Sequence, residues 1–209
     1  DSRLWFTQDD GAHWDNVTPP GLGPWSKVDT IGADPHDPAS AYVAIDRHQV
    51  DDFKPYVYIT HDAGKHWRQA AQGIPDGDYV RVVRADPERK GLLYAGTEFG
   101  LYITLDRGGK WEKFMNNYPT VRTDDILIHP RDGDLIAASH GRSIWIADDI
   151  TPLQQWNAQV AASDVTLFDV RPAVAYHSDS LLDSATGGEK QFEGENPLRG
   201  TAIQFYLRS

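Results

Sequence analysis

The chain has 209 residues, with 31 Asp and Glu against 20 Lys and Arg and a formal net charge of -11. That balance offers no basic face for a phosphate backbone or an anionic bilayer, which speaks against nucleic acid and the membrane surface as partners. The absence of cysteine excludes disulfides, thiolate zinc sites and a cysteine nucleophile, and no apolar run approaches the ~18 residues of a membrane span.

In chain order, Asp1-Ser2-Arg3 is neither a start methionine nor a signal peptide, and a strand-like run begins at once with Leu4-Trp5-Phe6. This predicts a segment of a longer protein. The run leads into Thr7-Gln8-Asp9-Asp10-Gly11-Ala12-His13-Trp14. The same Thr-x-Asp-x-Gly-x-x-Trp pattern returns after Tyr56-Val57-Tyr58-Ile59, from Thr60 to Trp67, and after Leu101-Tyr102-Ile103, from Thr104 to Trp111. A second motif keeps phase with it, as Ala33-Asp34-Pro35, Ala85-Asp86-Pro87 and Ile128-His129-Pro130. A shift of 43 residues lays Leu101-Tyr102-Ile103 on Ile144-Trp145-Ile146, so a further copy ends near Asp149. Its box is degenerate, with Thr151 and Gln154 at the Gly and Trp positions.

One repeat reads as four strands, A to D. Residues 79–84 and 92–96 are β-rich, Glu98-Phe99-Gly100 is a tight turn, residues 101–104 form the third strand, and Trp111 opens the fourth after the box hairpin. Four antiparallel strands per ~45 residues, repeated, predict the blades of a β-propeller. A lone four-stranded sheet cannot bury both faces, so neighbouring blades must stack. Within the box, Asp can accept turn N–H groups, Gly can supply a positive φ, and Trp can cover the gap between sheets. The expected architecture is all-β: a propeller of four-stranded antiparallel blades, incomplete at about three and a half blades. The blades span 1–20 (half), 26–75, 78–118 and 121–150, and 151–209 form an extension. Ser178 to Glu195 reads as a linker. Thr201 to Leu207 reads as the first strand of a following β-domain.

The boxes resemble the Asp-box, or bacterial neuraminidase repeat, of sialidases, glucan-cleaving propellers and sortilin receptors. The stretch from Ser139 to Leu153, with Val165–Ala173 and Phe192–Leu207, looks like the closing blade and tail of secreted bacterial sortilin-like propeller proteins. The resemblance implies a secreted or periplasmic module. No cofactor and no metal are expected.

The residues of chemical interest have bland readings beside the sharp ones. Asp9, Asp62 and Asp106 have the type for catalytic carboxylates or calcium ligands. Their periodicity puts them on separate blades, where they fix turns and cannot converge on one substrate. Gly11, Gly64 and Gly108, with Trp14, Trp67 and Trp111, complete the structural set, and the three tryptophans are expected in the core. Trp5, Tyr58, Tyr102 and Trp145 are expected between blades, while Trp25 and Trp156 fall outside the repeat. Sialidases carry an Arg-Ile-Pro motif, whereas Ile74-Pro75 follows Gly73. The pairs Asp51-Asp52 and Asp124-Asp125 read as solvated loop charge, since a glycosidase pair requires a defined gap. His61 and His66 flank Asp62, but His13 recurs without a partner, as repeat decoration would.

In an up-and-down blade the B–C turns lie on the face opposite the boxes. Charge gathers there beyond what short turns need, at Arg47 and His48 of an inserted loop, at Glu98, and at His140 and Arg142. These five residues are the expected binding surface. The expected function is a non-enzymatic module binding protein, peptide or carbohydrate, the remaining blades coming from an upstream segment or another chain. The alternative is a sialidase-like or glucanase-like glycoside hydrolase.

Overall fold

The computed structural model of the chain describes residues 3–173, 175 and 200–208. It divides into two units, Asp1–Gln154 and Gln155–Ser209. In the first, β1 (Trp5–Phe6) and β2 (Asp15–Asn16) form a hairpin. A four-stranded meander follows, made of β3 (Lys27–Asp34), β4 (Asp37–Asp46), β5 (Tyr56–Thr60) and β6 (Arg68–Gln69). A second has the same order, with β7 (Val80–Ala85), β8 (Leu93–Thr97), β9 (Gly100–Thr104) and β10 (Glu112–Lys113). The last sheet holds three strands, β11 (Thr123–Ile128), β12 (Leu135–Ser139) and β13 (Ile144–Ala147). Among the described residues the expected full blade at 121–150 therefore lacks strand D. The degenerate box supplies no hairpin, and the chain turns at Ile150 into the short helix α1 (Thr151–Gln155).

Three apolar cores alternate with the sheets. Leu4 and Val17 of the hairpin meet Val43, Ile45 and Trp67 of the first blade. Tyr42, Val57, Ile59 and Ala70 of that blade meet Val80, Leu93, Tyr102 and Trp111 of the second. Val82, Tyr94 and Leu101 of the second meet Ile126, Leu135 and Ala137 of the third sheet. The two four-stranded sheets thus use both faces, which explains the apolar runs in β4 and β8 where simple alternation would suffice for one buried face. Strands β3, β7 and β11 lie side by side and are the innermost of their sheets.

Box geometry is the same three times. The carboxylate Oδ1 accepts the backbone N–H of His13 in the first box (2.8 Å), of His66 in the second (2.9 Å), and of Gly109 and Lys110 in the third (2.8 and 3.0 Å). The box threonine hydroxyl donates to that oxygen and accepts the glycine N–H, at 2.9 Å for Gly64 and 3.1 Å for Gly108. The residue before each glycine is also left-handed: Asp10, Ala63 and Arg107 have φ of 53°, 58° and 59°. Gly64 has no substitute, because a Cβ there would come within 2.6 Å of the Val17 side chain.

The box tryptophans link consecutive sheets. The Trp67 indole N–H donates to the Val17 carbonyl (2.7 Å) and that of Trp111 to the Ala70 carbonyl (2.6 Å). Val17 and Ala70 each stand three residues after their own box tryptophan. Trp111 is buried, whereas Trp14 is 55% exposed and donates within its own box to Gly11 (3.0 Å). Trp14 is therefore not a core residue among the described residues, nor is Trp5, at 51% exposure. Both belong to the hairpin, whose second face meets no described sheet.

The Asp-Pro motif has its own burial. Asp86 Oδ1 accepts the N–H groups of Glu88 and Arg89, both at 2.8 Å, and its Oδ2 accepts the Tyr94 hydroxyl at 2.8 Å. Asp34 does the same with His36 and Tyr42. Burial first, then the bonded carboxylate, pushes both tyrosine hydroxyls far up.

In the second unit, α2 (Ala158–Ala162) is capped by Asn157, and β14 (Val165–Leu167) pairs antiparallel with β15 (Phe205–Leu207). The strand expected within Thr201–Leu207 is β15, and it pairs with β14 of the tail. The expected linker, Ser178 to Glu195, lies outside the described residues. No described helix is long and apolar enough to cross a membrane.

Two measurements check this account. Trp111→Ala should lower the unfolding free energy by about 3–5 kcal/mol, and Trp111→Phe by about 1–3 kcal/mol through the unpaired Ala70 carbonyl, while Trp14→Ala stays within about 0.5 kcal/mol. In the second box, the His66 backbone N–H and then its ring hold Asp62 down to about 2. Its contribution is complete above the ordinary 3.8 and drains away as pH falls toward 2. The melting-temperature gap between wild type and Asp62→Ala should narrow across that window and stay constant above it.

Candidate binding face

The meander order puts the B–C turns, the starts of the A strands and the ends of the B strands on one side, away from the boxes. Arg81, near the start of β7, is the hub. Its Nη1 lies 3.4 Å from both Asp29 Oδ2 and Asp46 Oδ2, and its Nη2 is 3.7 Å from Glu98 Oε2 and 3.2 Å from the Tyr79 hydroxyl. Its guanidinium also sits 5.0 Å from the Tyr79 ring centre. Only 12% of the Arg81 side chain is exposed. Burial opposes its charge, and Tyr79, Asp46 and Asp29 more than offset that, so its pKa is raised. Burial, then Glu98, raises the Tyr79 hydroxyl.

Around the hub the loops add rings. His48 stacks on Tyr79 at 5.0 Å with an interplanar angle of 14°, its Nδ1 2.7 Å from the Asp46 carboxylate. Phe53 tilts over the same tyrosine at 6.2 Å. The Phe99 N–H donates to Asp78 Oδ1 (3.0 Å), whose Oδ2 accepts the Tyr102 hydroxyl (2.9 Å). That anchor fixes the turn while leaving the Phe99 ring outside. Phe53 and Phe99 are each 46% exposed. Two buried polar atoms of the hub, Arg81 Nε and Glu98 Oε2, make no hydrogen bond.

The five sequence-derived residues divide. Arg47 turns inward: its Nε donates to Asp52 (2.8 Å) and its Nη1 to the Ser26 hydroxyl (2.5 Å), tying down the inserted loop, whose residues His48–Val50 form a 3₁₀ turn. His48 and Glu98 belong to the Arg81 cluster. His140 stands in a separate group with Arg122 and Asp124. Its Nδ1 is 2.5 Å from Arg122 Nη2 and 3.2 Å from Asp124 Oδ2. Partial burial works against the Asp124 charge, but Arg122, then His140, hold its pKa below the ordinary carboxylate range. Arg142 gives its backbone carbonyl to the Trp145 indole (2.8 Å), and its side chain is exposed. Asp124 thus belongs to an ion-pair group and is more than loop charge, while Asp125 pairs with Arg84 at 2.8 Å across to the neighbouring sheet.

The pattern missed Arg81, Asp29 and Asp46, which lie in strands, and Tyr79, just before β7, none of which carries a motif. One signal was available: Arg81 is a charge inside a β-rich run that otherwise reads as core. Among the described residues no group of His, Asp and Glu is arranged to hold a metal ion.

No family model matches the chain. It is 26% identical over 141 residues to the vacuolar protein sorting/targeting protein 10 of Leptosphaeria maculans, a match over 67% of this chain and 9% of that protein. Among solved structures, YCF48 bound to D1 peptide superposes with a TM-score of 0.52 at 18% identity, over 71% of this chain and 46% of that one. A GH74 enzyme of Niastella koreensis aligns at 0.48 and 18% identity, over 58% and 21%. The chain has a β-propeller fold and is similar to sortilin-like proteins. It spans less than a tenth of the length of its curated relative. In this propeller the boxes and the Arg81 cluster occupy opposite faces, so turn fixation and the clustered charge are spatially separate.

Removing the hub should unbalance that second face. Arg81→Ala leaves Asp29 and Asp46, both under a tenth exposed, without their shared cation, and should lower the unfolding free energy by about 3–5 kcal/mol. Arg142→Ala should stay within about 0.5 kcal/mol in the same denaturant titration.

Proposed function

We propose that the propeller is a non-enzymatic binding module and that the face around Tyr79 takes a polypeptide segment. The observation that carries this reading is a pair of exposed rings: Phe53, tilted over the Tyr79 ring on which His48 stacks and bonded through its carbonyl to the Gly77 N–H, and Phe99, on the turn anchored by its own N–H to Asp78 and by the Glu98 N–H to the Tyr79 carbonyl. Neither ring covers a core. Aromatic side chains fixed on rigid turns, with a charged rim, are the usual anchors of protein recognition. That YCF48 is found with a D1 peptide on a like fold supports the same reading. We place the module in a secreted or periplasmic setting, in keeping with its likeness to a sorting protein.

The carboxylates of this face support binding over hydrolysis. Asp29 and Asp46 share Arg81, Asp78 holds Tyr102 and Phe99, and Asp124 holds Arg122, so each is engaged in an ion pair or hydrogen bond. A general acid requires a carboxyl held protonated, and a nucleophile requires one open to substrate.

Selection of random dodecapeptides on the immobilised chain tests this. Selected peptides should lose affinity by about tenfold or more on Phe53→Ser/Phe99→Ser, with an unchanged melting temperature. Selection of peptides indifferent to both rings would overturn the site. Hydrolysis of an aryl-glycoside panel, abolished by Asp46→Asn or Glu98→Gln, would overturn the non-enzymatic reading.

A further inference from the structure

The crossover into β3 carries an aromatic residue where the backbone disfavours one. Trp25 has a φ of 64° and is 72% exposed, more than any other large apolar side chain among the described residues. A left-handed backbone suits glycine or asparagine and strains a bulky residue. The indole belongs to none of the three apolar cores. Strain of this kind concentrates at ligand-contacting positions, and packing does not account for it here.

The turn that bears Trp25 is built on Arg47. Arg47 Nη1 donates to the Ser26 hydroxyl (2.5 Å) and to the Pro24 carbonyl (3.4 Å), and Ser26 Oγ donates to the Gly23 carbonyl (2.8 Å). A Cβ at Gly23 would come within 2.8 Å of Arg47 Nη2, so the turn closes directly over the guanidinium. Through Nε the same side chain holds Asp52, whose carboxylate also accepts the Tyr56 hydroxyl at 2.8 Å. Phe53 is the next residue. One largely buried guanidinium thus fixes the Trp25 turn and the Phe53 loop to each other, on the face that also carries Phe99.

The charge of this face is lopsided on the first two blades. In the hub, Asp29, Asp46 and Glu98 meet two cations, Arg81 and Lys27. Arg47 and Asp52 cancel. Asp78 is bonded to the neutral Phe99 N–H and Tyr102 hydroxyl. Asp51 and Asp76 are both exposed, one two residues before Phe53 and the other next to Gly77, whose N–H bonds the Phe53 carbonyl; Lys54 is the exposed cation beside them. Before any charge on His48, carboxylates exceed cations by three, or by two when Lys113 over the Tyr102 ring is counted.

We propose that Trp25 is a third anchor of this face, and that the segment lying across Trp25, Phe53 and Phe99 carries a lysine or arginine among its apolar residues. This rests on the reading of the face as a peptide site. Apolar side chains of the segment lie on the three rings, and its cation meets Asp51 and Asp76 beside Phe53. The rings supply affinity, and the carboxylate excess selects a basic segment over an acidic one.

The dodecapeptides selected on the immobilised wild-type chain are the probe. Trp25→Gly relieves the left-handed strain, so the melting temperature should hold or rise. The affinity of the selected peptides should nevertheless drop by about tenfold or more. Their sequences should be rich in lysine or arginine. Replacing those residues by glutamine should weaken binding about fivefold or more, and raising the salt from about 50 to about 500 mM should weaken the parent peptides more than the glutamine ones. Affinity lost on Phe53→Ser/Phe99→Ser but kept on Trp25→Gly would leave the peptide face standing and overturn the third anchor. Affinity indifferent to all three substitutions would overturn both. A melting temperature that falls together with affinity on Trp25→Gly would make the indole a packing residue and overturn the anchor. Selected peptides without lysine or arginine, or unaffected by glutamine, would overturn the choice of a basic segment. Self-association of the chain alone, abolished by Trp25→Gly, would make a second copy the occupant and overturn the proposal as well.

Discussion

Two indole N–H groups, each donating to a backbone carbonyl of the preceding sheet, set the spacing on which the rest of the first unit depends. A carbonyl just past the end of an outer strand has no ladder partner, and once buried it must be bonded or carry a penalty. The tryptophan satisfies it and brings a large ring into the gap between sheets. Because the ring comes from the next repeat, each outer strand is completed by its successor. The box then positions the tryptophan: the carboxylate holds the N–H groups just before it, and two left-handed residues aim the hairpin. In the second and third boxes the acidic motif is thus a device for placing an aromatic residue between sheets.

This arrangement leaves the opposite face comparatively unconstrained. Everything that fixes the repeats, meaning the boxes and the Asp-Pro turns with their tyrosines, sits where strands A and B, and C and D, are joined. The B–C turns need only reverse the chain. Asp78 does this for one of them with a single carboxylate. The remaining residues there are free to be rings and charges, which is why Phe99 faces out on a turn of two residues and an inserted loop can bring His48 and Phe53 onto Tyr79.

The sequence showed what is periodic. Strands A to D of the second blade and the box hairpins all carry a local signal, and the structure places strands within a residue or two of the expected bounds. What the pattern missed depends on neighbours. Trp14 has the same local sequence as Trp111, yet one is exposed and the other buried, because burial of a box tryptophan is decided by the sheet before it. The Arg81 cluster draws Asp29 and Asp46 from one blade and Glu98 from another, and no single-repeat reading assembles it. The missing strand D of the third sheet was announced by the degenerate box at Thr151 and Gln154, but reading a strand by its distance from a motif concealed that signal. The tail strand, Phe205–Leu207, pairs with residues some 40 positions earlier, which no local pattern encodes.

The third sheet departs from the others in linked ways. His129 replaces the buried aspartate of Asp34 and Asp86, and Ala137 replaces the tyrosine that stands eight residues after each of them. A buried tyrosine hydroxyl requires an acceptor, and a buried aspartate requires donors, so the two are lost together. His129 instead accepts the Asp132 N–H at its ring (3.2 Å), a half-exposed turn in place of a buried one. The box is lost with them, and Gln154 of α1 reaches back to Asp86, at 3.2 Å from both its oxygens. Within the first unit this sheet buries one face against its predecessor and uses its final residues to close the turn side of the blade before it.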